Sequence, residues 1–242
     1  FGLCLILIPM LIPQKIGLVG LDFLLNNAII AWMLTLVFCV GFVNAVNMAD
    51  GANGLIPGII TIALAVFYME VGSFTYAIFM TTCGLFTIFN IISGRLFLGD
   101  AGAYGLGSML ALNGLYLFSA GVFSAAFLAV LFAYPCIEIL VTVARRRIEG
   151  RSIFLPDNDH LHNRVHFHCQ GWFRSKTLAN SITGVIVVSF SSGLALLGYT
   201  EAWWSVTSNQ WAWVFLGQCT MYVVAFIVTG LTRPISQHVA EQ

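Results

Sequence analysis

The sequence predicts an all-α fold, a polytopic bundle of about eight transmembrane helices that forms a single integral membrane domain over residues 1–242. Of its residues, 59% are hydrophobic and 8% are charged, whereas a soluble domain carries about 25% charged residues. The mean hydropathy is +0.92. The apolar runs approach the roughly 20 residues that cross a bilayer core, and they lack the alternation of membrane-barrel strands.

Eight apolar runs are predicted to be spans, and the length of each run sets its bounds. The first run is shorter than a full span, and so are the third and the fifth. The other five are long enough to cross the bilayer core. In chain order the runs are Phe1–Ile12, Ala28–Val46, Leu55–Val71, Phe74–Ile92, Ala103–Phe118, Val122–Ala144, Leu178–Leu197 and Trp211–Leu231.

Positive charge predicts the orientation of these spans. If the spans alternate in direction, nine of the ten Lys and Arg residues fall in one set of connections and only Lys15 falls in the other. The positive-inside rule makes the nine-residue side cytoplasmic. On the opposite side, Trp203, Trp204 and Trp211 fit an interfacial aromatic belt. The nine residues are Arg95, Arg145, Arg146, Arg147, Arg151, Arg164, Arg174, Lys176 and Arg233.

Charge balance and cysteine spacing exclude several functional classes. Ten basic and ten acidic residues give a net charge of zero, which offers no basic surface for nucleic acid. The six cysteines include no CxxC pair, so neither a disulfide framework nor a thiolate zinc site is predicted.

The first polar cluster lies at the end of the second span and in the turn that follows. Asn44, Asn47 and Asp50 are three residues apart, which places them on one helix face. Gly51 lets the backbone turn close to a ligand, and Asn53 belongs to the same turn. A helix C-cap followed by a turn is the alternative, because Asn, Asp and Gly are common there.

The second cluster lies between the fourth and fifth spans. Asp100 is flanked by Gly99 and Gly102, which leave its carboxylate accessible. Together with Asp50 it suits Mg²⁺, which takes one or two protein carboxylates and keeps its other positions for phosphate and water. Asn90 is predicted to add a polar contact at the same depth. The alternative for Asp100 is a helix N-cap.

The third cluster is a basic, His-rich loop over residues 145–176, which contains four of the five histidines. A charge run is often a solvated face or a contact with anionic lipid, and a His-x-His pattern also suits Zn²⁺. Arg and His donors are equally the expected partners of a diphosphate. The residues assigned to such a site are Arg145, Arg146, Arg151, His160 and His162.

Alternation of the spans brings all three clusters to the same membrane face. Carboxylates for a cation, together with Arg, His and Asn donors, are what phosphoryl transfer requires. Glu138 lies within the sixth span, where an ionisable group is costly and therefore a functional candidate. An ion pair with Arg145, about two turns later, is the alternative for Glu138.

Three stretches carry a family resemblance. Asn44–Leu55 resembles the block NxxNxxDGxDGL, Phe97–Gly102 resembles FMGDxG, and Pro135–Asn163 resembles the loop P…D…RR…G.SPF.PD..HLHH. The sequence thus resembles the polyprenyl-phosphate N-acetylhexosamine-1-phosphate transferases (glycosyl transferase family 4) over residues 26–176. In the loop, the matching residues include Phe154, Pro156, Asp157, His160 and His162.

The resemblance implies transfer of N-acetylhexosamine-1-phosphate from a UDP-sugar to undecaprenyl (polyprenyl) phosphate, with Mg²⁺ or Mn²⁺ and release of UMP. This reaction starts lipid-linked cell-envelope glycans, such as the O-antigen of lipopolysaccharide, at the cytoplasmic face of the bacterial plasma membrane. A homodimer is a further expectation. By position, Asp100 is the main metal ligand, Asp50 and Asn47 serve the nucleotide and diphosphate, and His160, His162, Arg145 and Arg146 hold the diphosphate or sugar.

The sequence departs from the family pattern at four positions. Asn53 and Glu138 stand where the family has Asp, Ala103 replaces a small hydroxyl residue, and Asn163 replaces a His. The chain contains no Asp-Asp pair, so we expect the family's paired-aspartate motif upstream of Phe1. This chain is then expected to be the C-terminal two-thirds of the enzyme and to be inactive alone.

Two alternatives to the transferase remain open. A transporter or flippase of a phosphorylated substrate would place polar residues in broken helices near the bilayer centre. A catalytically decayed paralogue would keep the fold, and the replacements at Asn53, Ala103 and Asn163 motivate it.

Overall fold

The structure is a computed structural model that describes residues 1–17, 22–152 and 158–232. Within these ranges it contains helices and no strand, which confirms the all-α fold class. A 3₁₀ turn (Pro9–Leu11) follows α1, and a π-helical turn (Ser189–Gly193) joins α10 to α11. The α-helices are α1 (Gly2–Leu7), α2 (Asp22–Leu25), α3 (Ala28–Ala49), α4 (Leu55–Val71), α5 (Phe74–Ser93), α6 (Gly99–Ser119), α7 (Ala125–Leu131), α8 (Ala133–Ile148), α9 (Leu161–Trp172), α10 (Lys176–Val188), α11 (Leu194–Thr200) and α12 (Trp211–Leu231).

The described helices include four that are long and apolar enough to cross a membrane, so the prediction of eight spans is not confirmed. These four are α3, α5, the continuous helix Lys176–Thr200 and α12. The bent pair of α7 and α8 makes a fifth if it counts as one span, and α4 is shorter, with 17 residues. The first predicted run is a six-residue helix and a 3₁₀ turn that starts at Pro9, whose ring cannot continue α1.

The sixth predicted span is two helices, because the chain bends by 83° between α7 and α8. Pro135 lies in the first turn of α8, where a missing N–H costs least. Its ring leaves the carbonyl of Leu131 without the usual intrahelical donor, and the Ser192 hydroxyl donates to that carbonyl at 2.6 Å. The Tyr134 N–H donates to Ser191 Oγ at 3.0 Å. Polar side chains of the π-helical turn thus satisfy the broken backbone, as the interior of a membrane-spanning bundle requires.

One end of the bundle carries the three polar clusters, and we call it the polar end. The Asn47 amide, near the end of α3, donates to Asp100 Oδ1 in the first turn of α6 at 3.1 Å. His162 of α9 lies against Gly51. The convergence predicted from the alternation of the spans is therefore present, although the number of spans differs.

The opposite end, which we call the Trp end, carries the loop of Trp203 and Trp204. There the Tyr199 hydroxyl donates to Glu70 Oε2 at 3.0 Å. Trp203 is 40% exposed, as an aromatic belt requires, but Trp211 is fully buried. Trp211 packs edge-on against Phe127 with ring centroids 4.9 Å apart, so its assignment to the belt was wrong: its ring fills the core instead.

Candidate functional site at the polar end

The turn between α3 and α4, residues 50–54, forms one wall of the candidate site, and we call it the Asp50 loop. Helix α3 runs three residues past its predicted end and stops at Asp50, which is its C-cap. Gly54 adopts φ +75°, a left-handed conformation that favours glycine. The cap-and-turn alternative thus describes the backbone correctly, and the side chains of Asn47 and Asp50 are both partly exposed.

Asp100 is the point at which the first and second clusters meet. It is exposed and receives the hydrogen bond of the Asn47 amide through Oδ1. Leu98 is the N-cap of α6, and Asp100 is the second helical residue, so it is not the N-cap that the alternative proposed. A carboxylate in the first turn of a helix is stabilised by the helix dipole.

The Asp50 carboxyl sits in a partly desolvated position. Burial raises the pKa of Asp50 from 3.8 to about 6. A carboxyl of this kind gains from a nearby cation, which favours its charged form. The carboxylates of Asp50 and Asp100 and the amide of Asn47 are hard donors, and Mg²⁺ accepts such oxygens while keeping positions for water and substrate phosphates. The donor set therefore fits Mg²⁺. The described residues contain no cluster of three or more His, Cys, Asp or Glu side chains with metal-binding geometry.

The other three asparagines assigned to substrate binding differ in exposure: one is exposed and two are buried. Asn44 is exposed on α3, and its amide donates to the carbonyl of Val40 at 2.8 Å. Asn53 and Asn90 are 2% and 3% exposed. The Asn53 amide donates to Ser181 Oγ of α10 at 3.2 Å.

Asn90 holds the Asp50 loop from α5. Its side-chain oxygen accepts the N–H of Gly54, and its amide donates to the carbonyl of Leu96. Asn53 and Asn90 are therefore turned inward, where they fix the loop to α5 and α10. Their assignment to substrate binding stays a prediction: protein groups engage both ends of the Asn90 amide, whereas the Asn53 side-chain oxygen has no hydrogen-bond partner among the described residues.

His160 and His162 form a stacked pair at the start of α9. Their ring centroids are 5.5 Å apart, the planes differ by 15°, and the residues are 6% and 2% exposed. His160 Nδ1 contacts Glu138 Oε1 at 3.0 Å. His162 Nδ1 contacts the Tyr134 hydroxyl at 2.8 Å. Each ring is thus held through Nδ1 by a side chain of α8.

The Tyr134 hydroxyl holds His162 at two points. The backbone N–H of His162 donates to the Tyr134 oxygen at 3.2 Å, and Nδ1 of the His162 ring lies 2.8 Å from the same oxygen. Nε2 is the ring atom that faces Gly51. Burial lowers the pKa of His162 to about 4, so the ring is neutral at pH 7 and can hydrogen-bond a ligand without carrying a positive charge.

Glu138 is fully buried and joins α8, α9 and α12. In addition to His160, it accepts the Leu161 N–H at 3.2 Å, the Tyr222 hydroxyl at 2.7 Å and the Thr142 hydroxyl at 3.5 Å. The alternative of an ion pair with Arg145 is wrong. Glu138 pairs with His160, and the Arg145 guanidinium binds Glu149 and Asp159.

The three assigned arginines lie around the C-terminal end of α8, where positive charge complements the helix dipole. The Arg145 side chain is 13% exposed, with Nη1 3.5 Å from Glu149 Oε2. Arg146 is 7% exposed. Arg151 is the most accessible, at 51%, and its Nε lies 3.4 Å from the same Glu149 oxygen.

The sequence analysis did not identify Arg164 and Asp159 as the pair that holds α9 against α12. Arg164 binds Asp159 through two hydrogen bonds of 2.7 Å, donates to the carbonyl of Phe226 at 2.6 Å and lies 3.5 Å above the Phe226 ring. The sequence analysis also did not identify Tyr134 and Tyr222 as site residues. Of the two, only Tyr134 could have been found from the sequence, because it lies one helical turn before Glu138. Among the residues predicted earlier, Phe154, Pro156, Asp157 and Arg233 lie outside the described ranges.

Comparison with known proteins agrees with the resemblance of the sequence. Residues 1–118 match the family model for glycosyl transferase family 4. The chain is 31% identical over 165 residues to a probable undecaprenyl-phosphate N-acetylglucosaminyl 1-phosphate transferase of Bacillus subtilis, covering 62% of this chain and 46% of the relative. It is 28% identical over 172 residues to a phospho-N-acetylmuramoyl-pentapeptide-transferase of Levilactobacillus brevis, covering 64% and 51%.

A second phospho-N-acetylmuramoyl-pentapeptide-transferase, from Limosilactobacillus fermentum, is 31% identical over 174 residues, covering 66% of this chain and 50% of the relative. The chain therefore spans about half the length of the curated relatives it matches. No solved structure matches it. The family match, the relatives and the three motifs at the polar end agree with one another: this integral membrane protein is similar to the members of glycosyl transferase family 4.

Proposed function

We propose that the protein transfers N-acetylhexosamine-1-phosphate from a UDP-sugar to undecaprenyl or another polyprenyl phosphate, and so starts a lipid-linked cell-envelope glycan. In this reaction an oxygen of the lipid phosphate forms a bond to the phosphorus that carries the sugar, and the bond from that phosphorus to UMP breaks. The observation that carries the proposal is the meeting of three distant motifs at the polar end, through the Asn47–Asp100 hydrogen bond and the contact of Gly51 with His162.

The side chains of the site divide into two groups. Asp100 and Asp50 would hold Mg²⁺, and Asn47 orients the Asp100 carboxylate by donating to Oδ1. The cation supplies neutralisation of phosphate charge when it is bound. His162 would donate to the diphosphate through Nε2, and Nε2 of His160 on the other side would accept a hydrogen from a hydroxyl or the amide of the sugar.

The arginines at the end of α8 supply positive charge beside the histidines. Arg151 is exposed enough to reach a phosphate directly. Arg145 and Arg146 are more buried and contribute mainly through their field at the helix end.

The polar end would face the cytoplasm, because Arg95, Arg151 and Arg174 lie in its connections whereas Lys15 lies in a connection at the other end. The named relatives include proteins for two different sugars. We favour a UDP-N-acetylhexosamine such as UDP-N-acetylglucosamine, because the extended basic loop with His160 and His162 resembles that branch.

The test is an assay of UMP release by the full-length protein in detergent, with undecaprenyl phosphate and either UDP-N-acetylglucosamine or UDP-N-acetylmuramoyl-pentapeptide. We expect turnover with the first sugar nucleotide, loss of turnover with a chelator, and loss in Asp100→Asn. Glu201→Gln is the matched control, because Glu201 is an exposed carboxylate at the Trp end. Normal turnover in Asp100→Asn, or Mg²⁺-dependent binding of a UDP-sugar without turnover, contradicts the proposal; the second result supports a decayed paralogue.

A further inference from the structure

We infer that Glu138 is a positioning residue that fixes the tautomer and orientation of His160, and that Tyr222 of α12 holds Glu138 in place. Nothing in the proposed reaction requires a carboxylate inside the helix bundle. Such a group is nevertheless kept fully buried there, at the cost of removing it from water. The inference rests on the proposed function only in that His160 is assigned to the sugar that the diphosphate carries.

Apart from the His160 ring nitrogen, Glu138 is hydrogen-bonded by donors: a backbone N–H and the hydroxyls of a tyrosine and a threonine. Its Oε1 faces His160 Nδ1 at 3.0 Å and the Thr142 hydroxyl at 3.5 Å. Its Oε2 accepts the Leu161 N–H at 3.2 Å and the Tyr222 hydroxyl at 2.7 Å. Donors on both oxygens suit an ionised carboxylate, since it has acceptors only.

An ionised Glu138 determines which nitrogen of His160 carries hydrogen. The carboxylate accepts only from an N–H, so Nδ1 of His160 is protonated and Nε2 is the nitrogen left to meet a ligand. The ring is stacked on His162 and cannot turn without breaking that stack. The groups that face His160 are thus the Glu138 carboxylate and the His162 imidazole, with Tyr222 behind Glu138.

The role of Tyr222 extends the site to α12. That helix lies outside the part of the sequence that resembles the family, residues 26–176. The hydrogen bond between Tyr222 and Glu138 joins side chains 84 residues apart, and it pins the one oxygen of Glu138 that does not face His160. The last described helix is therefore part of the machinery that orients the histidine pair.

Glu138→Gln provides a sharp test because the geometry dictates how the amide must sit. The Leu161 N–H is a fixed backbone donor and requires an oxygen at the Oε2 position. The amide NH₂ must then take the Oε1 position, where it faces His160 Nδ1. Two donors cannot face each other, so the hydrogen of His160 should move from Nδ1 to Nε2.

The direct readout is ¹⁵N NMR of histidine-labelled full-length protein in detergent, with the His160 signals assigned by their loss in His160→Ala. We expect the Nδ1–H form in the unmodified protein and the Nε2–H form in Glu138→Gln. The matched control is Glu70→Gln, which removes the charge of a carboxylate that also accepts from a tyrosine, but at the Trp end. An Nε2–H form in the unmodified protein overturns the inference even if Glu138→Gln fails to fold.

Kinetics distinguish a positioning role from a merely structural one. We expect Glu138→Gln to lower kcat about 10–100-fold, as loss of a residue that orients a functional histidine does, and to cause no further loss in the His160→Ala background. Tyr222→Phe should lower kcat several-fold, whereas Tyr199→Phe should not. If the activity losses of Glu138→Gln and His160→Ala multiply in the double variant, the role of Glu138 is overturned. If Tyr222→Phe and Tyr199→Phe have equal rates, the role of Tyr222 is overturned. If Glu138→Gln shifts the His160 tautomer but the unmodified protein has no transferase activity, the proposed function is contradicted and this inference still holds.

Discussion

His162 packs Nε2 of its imidazole directly against Gly51, so that a Cβ added at Gly51 would overlap the ring. This contact joins the Asp50 loop to α9, and therefore joins the carboxylate half of the site to the histidine half. Gly51 is needed here for the close approach itself, because any side chain at that position displaces one of the two segments.

Gly51→Ala is expected to lower transferase activity about 100-fold, because a displacement of about 1 Å at reacting groups costs that much. The measurement is UMP release, with sugar-nucleotide binding determined in parallel. Gly105→Ala is the matched control, since a Cβ at Gly105 meets no atom within 4 Å. Equal activity of the two variants would show that the His162 position does not matter.

Asn47→Ala is expected to weaken the response to Mg²⁺. The Asn47 amide donates to Asp100 Oδ1 at 3.1 Å and so orients the proposed metal ligand. Loss of such an orienting partner lowers metal affinity about 10–100-fold. A titration of activity with Mg²⁺ checks this, with Asn113→Ala as the control, because the Asn113 amide accepts from Tyr76 at the other end of the helices. An unchanged half-saturating concentration in Asn47→Ala contradicts the orienting role.

The meeting of Asp50, Asp100 and His162 at one end could be predicted from the sequence. Hydropathy located the helices, and the alternation of spans with the excess of Arg on one side was enough to group their connections. The bend between α7 and α8 was not predicted, because the apolar run continues through Phe132 without interruption. Pro135 was the available signal: a proline is tolerated in the first turn of a helix, so it marked a new helix start.

The partners of Glu138 could not be predicted, for a different reason. Its contacts with His160 and Tyr222 join side chains 22 and 84 residues away, and they depend on how α8 and α12 pack. Spacing along the chain reports only contacts within a helix, such as a pairing with Arg145 two turns on. The residues that sequence alone assigned to substrate were exposed in some cases and buried in others, as Asn44 and Asn90 illustrate.

The buried His162 predicts a specific pH dependence of stability. Burial lowers its pKa from 6.5 to about 4, while Glu138 opposes this shift and His160 and His166 add to it. The unfolded chain binds a proton at this residue below about pH 6.5, and the folded chain does so only near pH 4. Its contribution to stability is therefore present above pH 6.5 and is lost as the pH falls toward 4. The melting temperature of His162→Gln should fall less than that of the unmodified protein between pH 6.5 and 4.5.

Asp50 titrates in the same pH window with the opposite sign. Burial raises its pKa from 3.8 to about 6, so the folded state binds the proton first and its contribution is lost as the pH rises through 6. Asp50→Asn should therefore make the loss of stability on acidification steeper. The measurement is thermal unfolding in detergent with a chelator present. Parallel curves for the unmodified protein and both variants would mean that neither group changes its proton affinity on folding.

Arg164→Lys is expected to loosen α9 from α12. The guanidinium makes two hydrogen bonds of 2.7 Å to Asp159 and one of 2.6 Å to the carbonyl of Phe226, and a lysine has no planar fork that can make all three. Hydrogen bonds to charged groups are worth about 1.5–3 kcal/mol, so the melting temperature should fall by several degrees.

Arg174→Lys provides the control for this change, because Arg174 is exposed in the connection to α10. The position of α9 also fixes the histidine pair, since His160 and His162 begin the helix that Arg164 anchors. Arg164→Lys should therefore lower transferase activity together with stability, and proteolysis of the loop that precedes α9 should become faster. If Arg164→Lys has the same melting temperature and transferase activity as Arg174→Lys, then Glu138 and Tyr134 alone hold the start of α9. The contact of Arg164 with Phe226 would then contribute nothing to the site.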